Sequence, residues 1–202
     1  MIKINTKQIV ENLIATFLKA GEISISLRKA GLTKKIKPDN TPVSNGDLEV
    51  NRIITNKLKE ITPEIPIVSE ETSENKSIEN LKDFWLVDPI DGTTDYINDL
   101  DEFTINAGLI LDKKPVAGLI YAPAKKRMFF SYGDDQAFEI TNGKIIKLEG
   151  SENFNKDKIK FVSYSNKIKP EIDKIYKHLN VKEHVRMKSS LKFCVIATGE
   201  YD

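Results

Sequence analysis

The residues best suited to chemistry lie in one short run, Trp85-Leu86-Val87-Asp88-Pro89-Ile90-Asp91-Gly92-Thr93-Thr94. An apolar stretch leads straight into two aspartates three positions apart, then a glycine and paired threonines. Pro89 removes a backbone donor and fixes φ, which predicts that the strand stops there, and Gly92 relieves the backbone at the next turn. Both carboxylates then stand at the carboxyl end of a strand, a favoured place for ligands in α/β proteins. Gly92 and Thr93 open what reads as a short helix, whose first N–H groups have no intrahelical partner and can hold a phosphate. Paired carboxylates at such a place suit hard divalent cations, which take oxygen ligands and share them with phosphate. The same residues equally suit a capped turn, in which Asp88 and Asp91 satisfy only backbone N–H groups.

Two further polar elements stand at the ends of other segments. Val68-Ser69-Glu70-Glu71 closes an apolar run, although acidic pairs on turns are commonly no more than solvated surface. Lys37-Pro38-Asp39-Asn40-Thr41-Pro42-Val43-Ser44 runs toward Asp47 and, by itself, is a proline-rich turn feeding a helix cap.

The elements that must position these residues follow from periodicity. Ile9, Leu13, Phe17, Ala20 and Leu27 form the stripe of an amphipathic helix that Gly31 and Pro38 close. Asp47 can cap a second helix with an apolar face of Val50, Ile53, Ile54, Leu58 and Ile61, ended by Pro63 and Pro66. Short β-like runs come at 65–68 and 84–87, and Phe103, Ile105, Ala107, Leu109 and Leu111 alternate as a half-buried strand does. Turns at 112–114 and 125–126, and the hairpin dipeptide Asn142-Gly143, continue this into an antiparallel meander. Polar residues 150–158 read as a connector, followed by a strand at 160–164, a helix after Pro170 and a last strand at 193–198. The expected fold class is a layered α/β (α+β) architecture. Its lobes are an α+β lobe over residues 1–150 carrying the acidic motifs and a partial α/β lobe over 151–202.

Composition narrows the partners. The chain has 202 residues, 40% apolar and 30% charged, an ordinary foldable balance. Its 31 basic and 30 acidic residues leave a net charge of +1, with no electrostatic pull toward nucleic-acid polymers or an anionic membrane. No apolar run approaches the roughly 20 residues needed to span a bilayer, and the start MIKINTKQ lacks a signal-peptide core. Cys194 is the one cysteine and reads as a packed thiol in a buried strand, which fits a reducing, cytoplasmic setting.

The order DNTPVS…D, VSEE, WLVDPIDGT resembles the inositol-monophosphatase superfamily of metal-dependent phosphatases, whose most diagnostic motif is Asp-Pro-Ile-Asp-Gly-Thr. Within it, Glu102-Phe103-Thr104-Ile105-Asn106, Gly118-Leu119-Ile120-Tyr121-Ala122-Pro123 and Ser189-Ser190-Leu191-Lys192-Phe193-Cys194 resemble the CysQ-type branch of 3′(2′),5′-bisphosphate nucleotidases. The resemblance covers nearly the whole chain. It implies the layered αβαβα sugar-phosphatase-type fold with the final α/β layer incomplete. It also implies Mg²⁺ as cofactor and hydrolysis of adenosine 3′,5′-bisphosphate to AMP and phosphate. By position, Glu70, Asp88 and the Ile90 carbonyl become ligands of one Mg²⁺, and Asp88 and Asp91 hold a second. Asp47, Glu70 and Thr93 orient and help deprotonate the attacking water; Gly92 and Thr93 amides bind phosphate; Ser189 and Lys192 contact the nucleotide. The alternatives are an inositol or sugar monophosphatase, or a non-catalytic remnant that binds nucleotide or metal. Family members often dimerise, which leaves a homodimer open.

Two departures from the family pattern carry expectations. Lys188 stands where relatives usually have glycine, and it either crowds the base or sits harmlessly in a loop. Relatives also continue beyond the position of Asp202, through an arginine-bearing strand to a Trp-Asp motif. Its aspartate completes the second metal site, so residues 1–202 alone are expected to be weakly active or inactive.

Overall fold

The structure is a computed structural model that describes residues 4–72, 80–149, 159–165 and 167–202. Helix α1 (Thr6–Ala30) starts where the Asn5 side chain accepts from the Gln8 N–H, and it buries Val10, Leu13, Phe17 and Ala20. Those positions step by three and four residues along one helical face. Strands β1 (Lys34–Ile36) and β2 (Pro42–Ser44) then pair antiparallel around a turn in which Asp39 Oδ1 accepts from the Thr41 hydroxyl at 2.6 Å. Only the turn was legible in that stretch, because strands of three residues are too short to show a period.

Helix α2 (Asn45–Ile61) buries Val50, Ile54 and Leu58. Its N-cap is Ser44 rather than Asp47. Asp47 sits in the first turn and closes a capping box, with Oδ2 accepting from the Ser44 N–H at 2.8 Å.

Seven strands form the central sheet in the order β3-β4-β5-β6-β7-β8-β9. They are β3 (Ile67–Ser69), β4 (Phe84–Asp91), β5 (Thr104–Leu111), β6 (Lys114–Ala122), β7 (Arg127–Ser131), β8 (Ala137–Thr141) and β9 (Lys144–Lys147). The expected meander is present: β4 to β9 are antiparallel neighbours, whereas β3 runs parallel to β4. Pro89 does not end β4, contrary to the expectation from its missing donor. The β4–β5 register shifts between Asp88 and Asp91, and a proline is tolerated at such an irregularity. Helix α3 (Thr93–Ile97) follows directly.

Side chains alternate across the sheet, so β6 serves two cores. Leu119 and Tyr121 join the cluster under α1 and α2, while Ile120 and Ala122 meet helix α5 (Leu191–Ala197) on the other face. The expected strand at 193–198 is therefore a helix. Leu191, Cys194 and Val195 are spaced for one helical face, and a short apolar run cannot be told from a strand without a partner to face. Cys194 is buried as expected, but on this helix.

Strand β10 (Lys160–Ser163), helix α4 (Pro170–His178) and strand β11 (Glu183–Arg186) make a small parallel crossover unit. β11 escaped the sequence reading because Val185 is its one aliphatic residue. The connector 150–158, and with it the 150/151 lobe boundary, lies outside the described residues. No helix among the described residues is long and apolar enough to cross a membrane.

Candidate active site

Parallel pairing of β3 and β4, with Ser69 beside Val87, brings two carboxyl ends to the same edge of the sheet. Glu70 leaves β3 with its N–H bonded to the Val87 carbonyl at 3.1 Å, so it emerges beside Asp88. This adjacency of parallel strand ends is the general reason that α/β sites form there.

Asp88 Oδ1 is buried and has no hydrogen-bond partner. Burial first, then the charges of Glu70 and Asp91, push its carboxyl up to about 8. A carboxylate crowded in this way keeps a proton unless a cation takes its place. Opposite Asp88 and Asp91 in register stand Asn106 and Thr104 of β5, whose Oδ1 and Oγ1 are likewise buried without partners. Buried oxygen acceptors left unpaired are costly, and a cation with its bound water is what such a set of oxygens can satisfy.

The neighbouring carboxylates are engaged. Glu70 Oε1 takes an ion pair from Lys37 at 3.0 Å, and the same ammonium reaches the buried Glu71 at 2.8 Å. Burial acts against the charge on Lys37, but the hydrogen bonds to Glu71 and Glu70 outweigh it and raise its pKa. Asp91 Oδ2 accepts from the Ser190 hydroxyl at 2.7 Å. With Glu70 turned to Lys37 and Asp91 to Ser190, no cage of three or more such ligands is preassembled among the described residues.

Asp47 is 1% exposed, and its two oxygens do different work. Oδ2 closes the helix cap, while Oδ1 accepts from the Thr93 hydroxyl at 3.1 Å. Burial raises the Asp47 pKa, opposed by the hydrogen bonds from Ser44 and Thr93. The Thr93 hydroxyl also lies 3.0 Å from the Ile90 carbonyl, so Asp47, Thr93 and Ile90 form one polar chain.

Two glycines permit this geometry. Gly92 caps α3 at φ 96°, and a Cβ there would come within 2.8 Å of the Glu102 carbonyl. Gly46 in the first turn of α2 accepts the Tyr96 ring, where a Cβ would meet the phenol oxygen at 2.3 Å. The fully buried Tyr96 donates to the Ser24 carbonyl at 2.7 Å, locking α3 against α1 and α2.

A cleft of about 520 Å³ gathers Glu70, Asp88, Ile90, Asp91, Gly92 and Thr93 with Ser189 and Lys192 from the loop and first turn of α5. Asp47 lies behind it, reached through Thr93. Lys192 is on helix α5, and its ammonium donates to the Ser189 carbonyl at 2.7 Å. Sequence reasoning missed Lys37, Asn106 and Asp95 as site residues. Lys37 and Asn106 fall inside quoted motifs; Asp95 follows the paired threonines with no motif of its own.

A family model for the inositol monophosphatase family matches residues 5–202. The chain belongs to that family. CysQ-type proteins are among its relatives. The 3′(2′),5′-bisphosphate nucleotidase CysQ of Aggregatibacter actinomycetemcomitans is 30% identical over 203 residues, covering 98% of this chain and 74% of that protein. The CysQ of Buchnera aphidicola is 39% identical over 165 residues, 81% of this chain but 61% of its own length, so the chain spans less than two thirds of this relative. The crystal structure of CysQ from Bacteroides thetaiotaomicron, a bacterial member of the family, superposes with a TM-score of 0.77 at 25% identity, covering 100% of this chain and 80% of that one. An IMPase/NADP phosphatase complexed with Mg²⁺ and phosphate shares the family's fold at a TM-score of 0.76, 21% identity and coverage of 97% and 73%.

Proposed function

We propose that the chain carries the metal and phosphate site of a Mg²⁺-dependent phosphomonoester hydrolase. Its substrate is a nucleoside 3′(2′),5′-bisphosphate, with adenosine 3′,5′-bisphosphate cleaved to AMP and phosphate in the reducing cytoplasm. One observation carries the reading: the parallel ends of β3 and β4 set Glu70 beside Asp88, whose buried Oδ1 has no partner and whose pKa is raised, in a cleft whose other wall bears Ser189 and Lys192. The nucleotidase names of the CysQ relatives, and the Mg²⁺ and phosphate held by a neighbour of the same fold, support it.

Glu70, Asp88 and the Ile90 carbonyl would hold one cation, and Asp88 and Asp91 a second. The Ile90 oxygen has a second lone pair besides the one facing Thr93. Bound there, Mg²⁺ supplies acidification of water and neutralisation of charge on phosphate oxygens. The chain's own groups do the rest. Asp47 draws the Thr93 proton, which leaves the Thr93 oxygen free to accept from a water in the cleft and aim it at phosphorus. Glu70 is the cleft carboxylate able to share that water's second proton once Lys37 releases it. The N–H groups of Gly92 and Thr93 receive phosphate oxygens as charge builds on them, and Ser189 and Lys192 hold the nucleotide.

The test is phosphate release from adenosine 3′,5′-bisphosphate with and without Mg²⁺, beside the thermal shift that Mg²⁺ produces. Slow release and a stabilising shift that both depend on Mg²⁺ and disappear in Asp88→Asn are expected. Absence of both in the folded wild-type chain overturns the reading, as does faster release from inositol 1-phosphate.

A further inference from the structure

We propose that Lys188 is a specificity-determining residue, whose ammonium joins Lys192 in a cationic wall that takes the substrate phosphate that is not hydrolysed. This rests on the nucleotidase reading and deepens it, by naming the residue that recognises the second phosphate.

The side chain of Lys188 bridges two environments. Its Nζ pairs with Asp95, whose side chain is 4% exposed, while the lysine side chain itself remains 31% exposed and lines the cleft. An ammonium has three donors, so one contact to Asp95 leaves others to offer to an anion. The position of the charge is set from both ends: the Lys188 N–H donates to Glu102 at 3.1 Å, and Asp95 is anchored in α3. A pinned ammonium loses less side-chain freedom on binding than a free surface lysine, and so binds with less entropic opposition.

Charge is unevenly divided across the cleft. Glu70, Asp88 and Asp91 form an acidic wall; the cationic residues lining it are Lys188 and Lys192, and Asp95, which also lines it, is the carboxylate tied to Lys188. The two walls are close. Ser190 touches Asp91, and Lys188 is two residues before it, at most about 7 Å along the chain. Between them Ser189 is buried with φ 55°, a left-handed conformation costly for a non-glycine residue, so the loop is held in one shape. Tyr164, 71% exposed, also lines this end and offers a ring on which a base can stack. A phosphate seated among the carboxylates with their cations therefore places the rest of a nucleoside toward Tyr164 and any second phosphate toward the lysines. This also answers the sequence-level question about Lys188. It neither crowds the site nor sits idle.

The experiment measures Kd by calorimetry for adenosine 3′,5′-bisphosphate and for adenosine 3′-monophosphate, which lacks the second phosphate. Ca²⁺ serves as the cation, as in a family neighbour complexed with NADP and Ca²⁺. The proteins are wild type, Lys188→Gln and Lys188→Arg. Glutamine can still donate to Asp95, so it removes the charge while keeping the tie. The wild type is expected to prefer the bisphosphate, Lys188→Gln to reduce that preference about tenfold, and Lys188→Arg to retain most of it. The salt dependence of bisphosphate binding should also flatten in Lys188→Gln. A wild type that binds both ligands alike overturns the proposal whatever the variants do. So does a glutamine variant that weakens both ligands equally, which marks a purely structural tie. A wild type that binds neither nucleotide nor inorganic phosphate overturns the phosphatase reading beneath it.

Discussion

The two walls of the cleft are built in different ways. The acidic wall stands on α1, α2 and the sheet, where Leu13, Phe17, Ile54, Leu58, Trp85 and Leu109 are fully buried in one continuous core. Trp85 even satisfies its indole N–H there, donating to the Thr62 hydroxyl at 3.0 Å. The basic wall belongs to a thinner region. Helix α4 buries no residue, and Ile172, Ile175 and Leu179 are 40%, 48% and 37% exposed. α5 rests on a small cluster with Ala122 and Phe129. Polar ties also hold it: Ser190 to Asp91, Lys188 to Asp95 and Glu102, and Arg127, itself paired with Glu139, to Glu200. Groups that must hold like charges together need an over-determined frame, whereas groups that select a ligand can stand on a few directional bonds.

That contrast can be broken or sharpened by experiment. Phe17→Ala should destabilise the chain most, by about 3–5 kcal/mol in urea unfolding, because the core under the acidic wall cannot collapse around the lost ring. A loss no larger than that of an exposed residue would remove the distinction between the regions. Thr93→Val should lower the Mg²⁺-dependent rate about a hundredfold with little change in stability, since it deletes the hydroxyl between Asp47 and the cleft and keeps the shape. An unchanged rate would take Thr93 out of the chemistry.

Arg127→Ala should cost about 2 kcal/mol and loosen α5 selectively, seen as faster amide exchange there than in α1 or α2, because it strands the buried Glu139. The same tie has a pH dependence. The Arg127 hydrogen bond holds the Glu200 carboxyl below its ordinary 4.5, so its contribution is present above that value and is lost as pH falls through the lower folded value. Exchange in α5, corrected for intrinsic rates, should therefore rise on acidification sooner than exchange in the central helices. Simultaneous loosening of both would show a single cooperative unit.

Cys194 offers the gentlest probe. Burial pushes its thiol up to about 12, against the opposing charge of Arg127. Alkylation at neutral pH should thus be at least about a hundredfold slower than in urea, and faster in Arg127→Ala. Rapid labelling of the folded wild type would mean that α5 is open. Ile175→Ser on the exposed face of α4 should shift stability by no more than about 0.5 kcal/mol.

Much of the acidic wall was legible from local pattern. Asp88, Asp91, Gly92 and Thr93 lie within six consecutive residues, so spacing alone placed them at one turn, and α1, α2 and the meander announced themselves by long, regular periods. Short elements were not legible: β1, β2 and β11 have three or four residues, and α5 was read as a strand because its partner face was unknown. Pro89 misled for a related reason, since a register shift that tolerates a proline is a property of two strands and not of one.

The sequence by itself determined the family, the central layers and most of the oxygen-bearing side chains of the site, because each rests on contiguous motifs or long periodic segments. Only the tertiary structure decided which of those groups meet. That Glu70 stands by Asp88 depends on the parallel register of β3 and β4, which pairs residues 18 apart, Ser69 with Val87, so that their successors meet at the same edge. That Thr93 binds Asp47, that Lys37 covers Glu70 and that Lys188 faces the cleft from buried Asp95 are contacts spanning 46, 33 and 93 positions. Local propensity carries no information over such separations; packing of the two cores against opposite faces of the sheet supplies it.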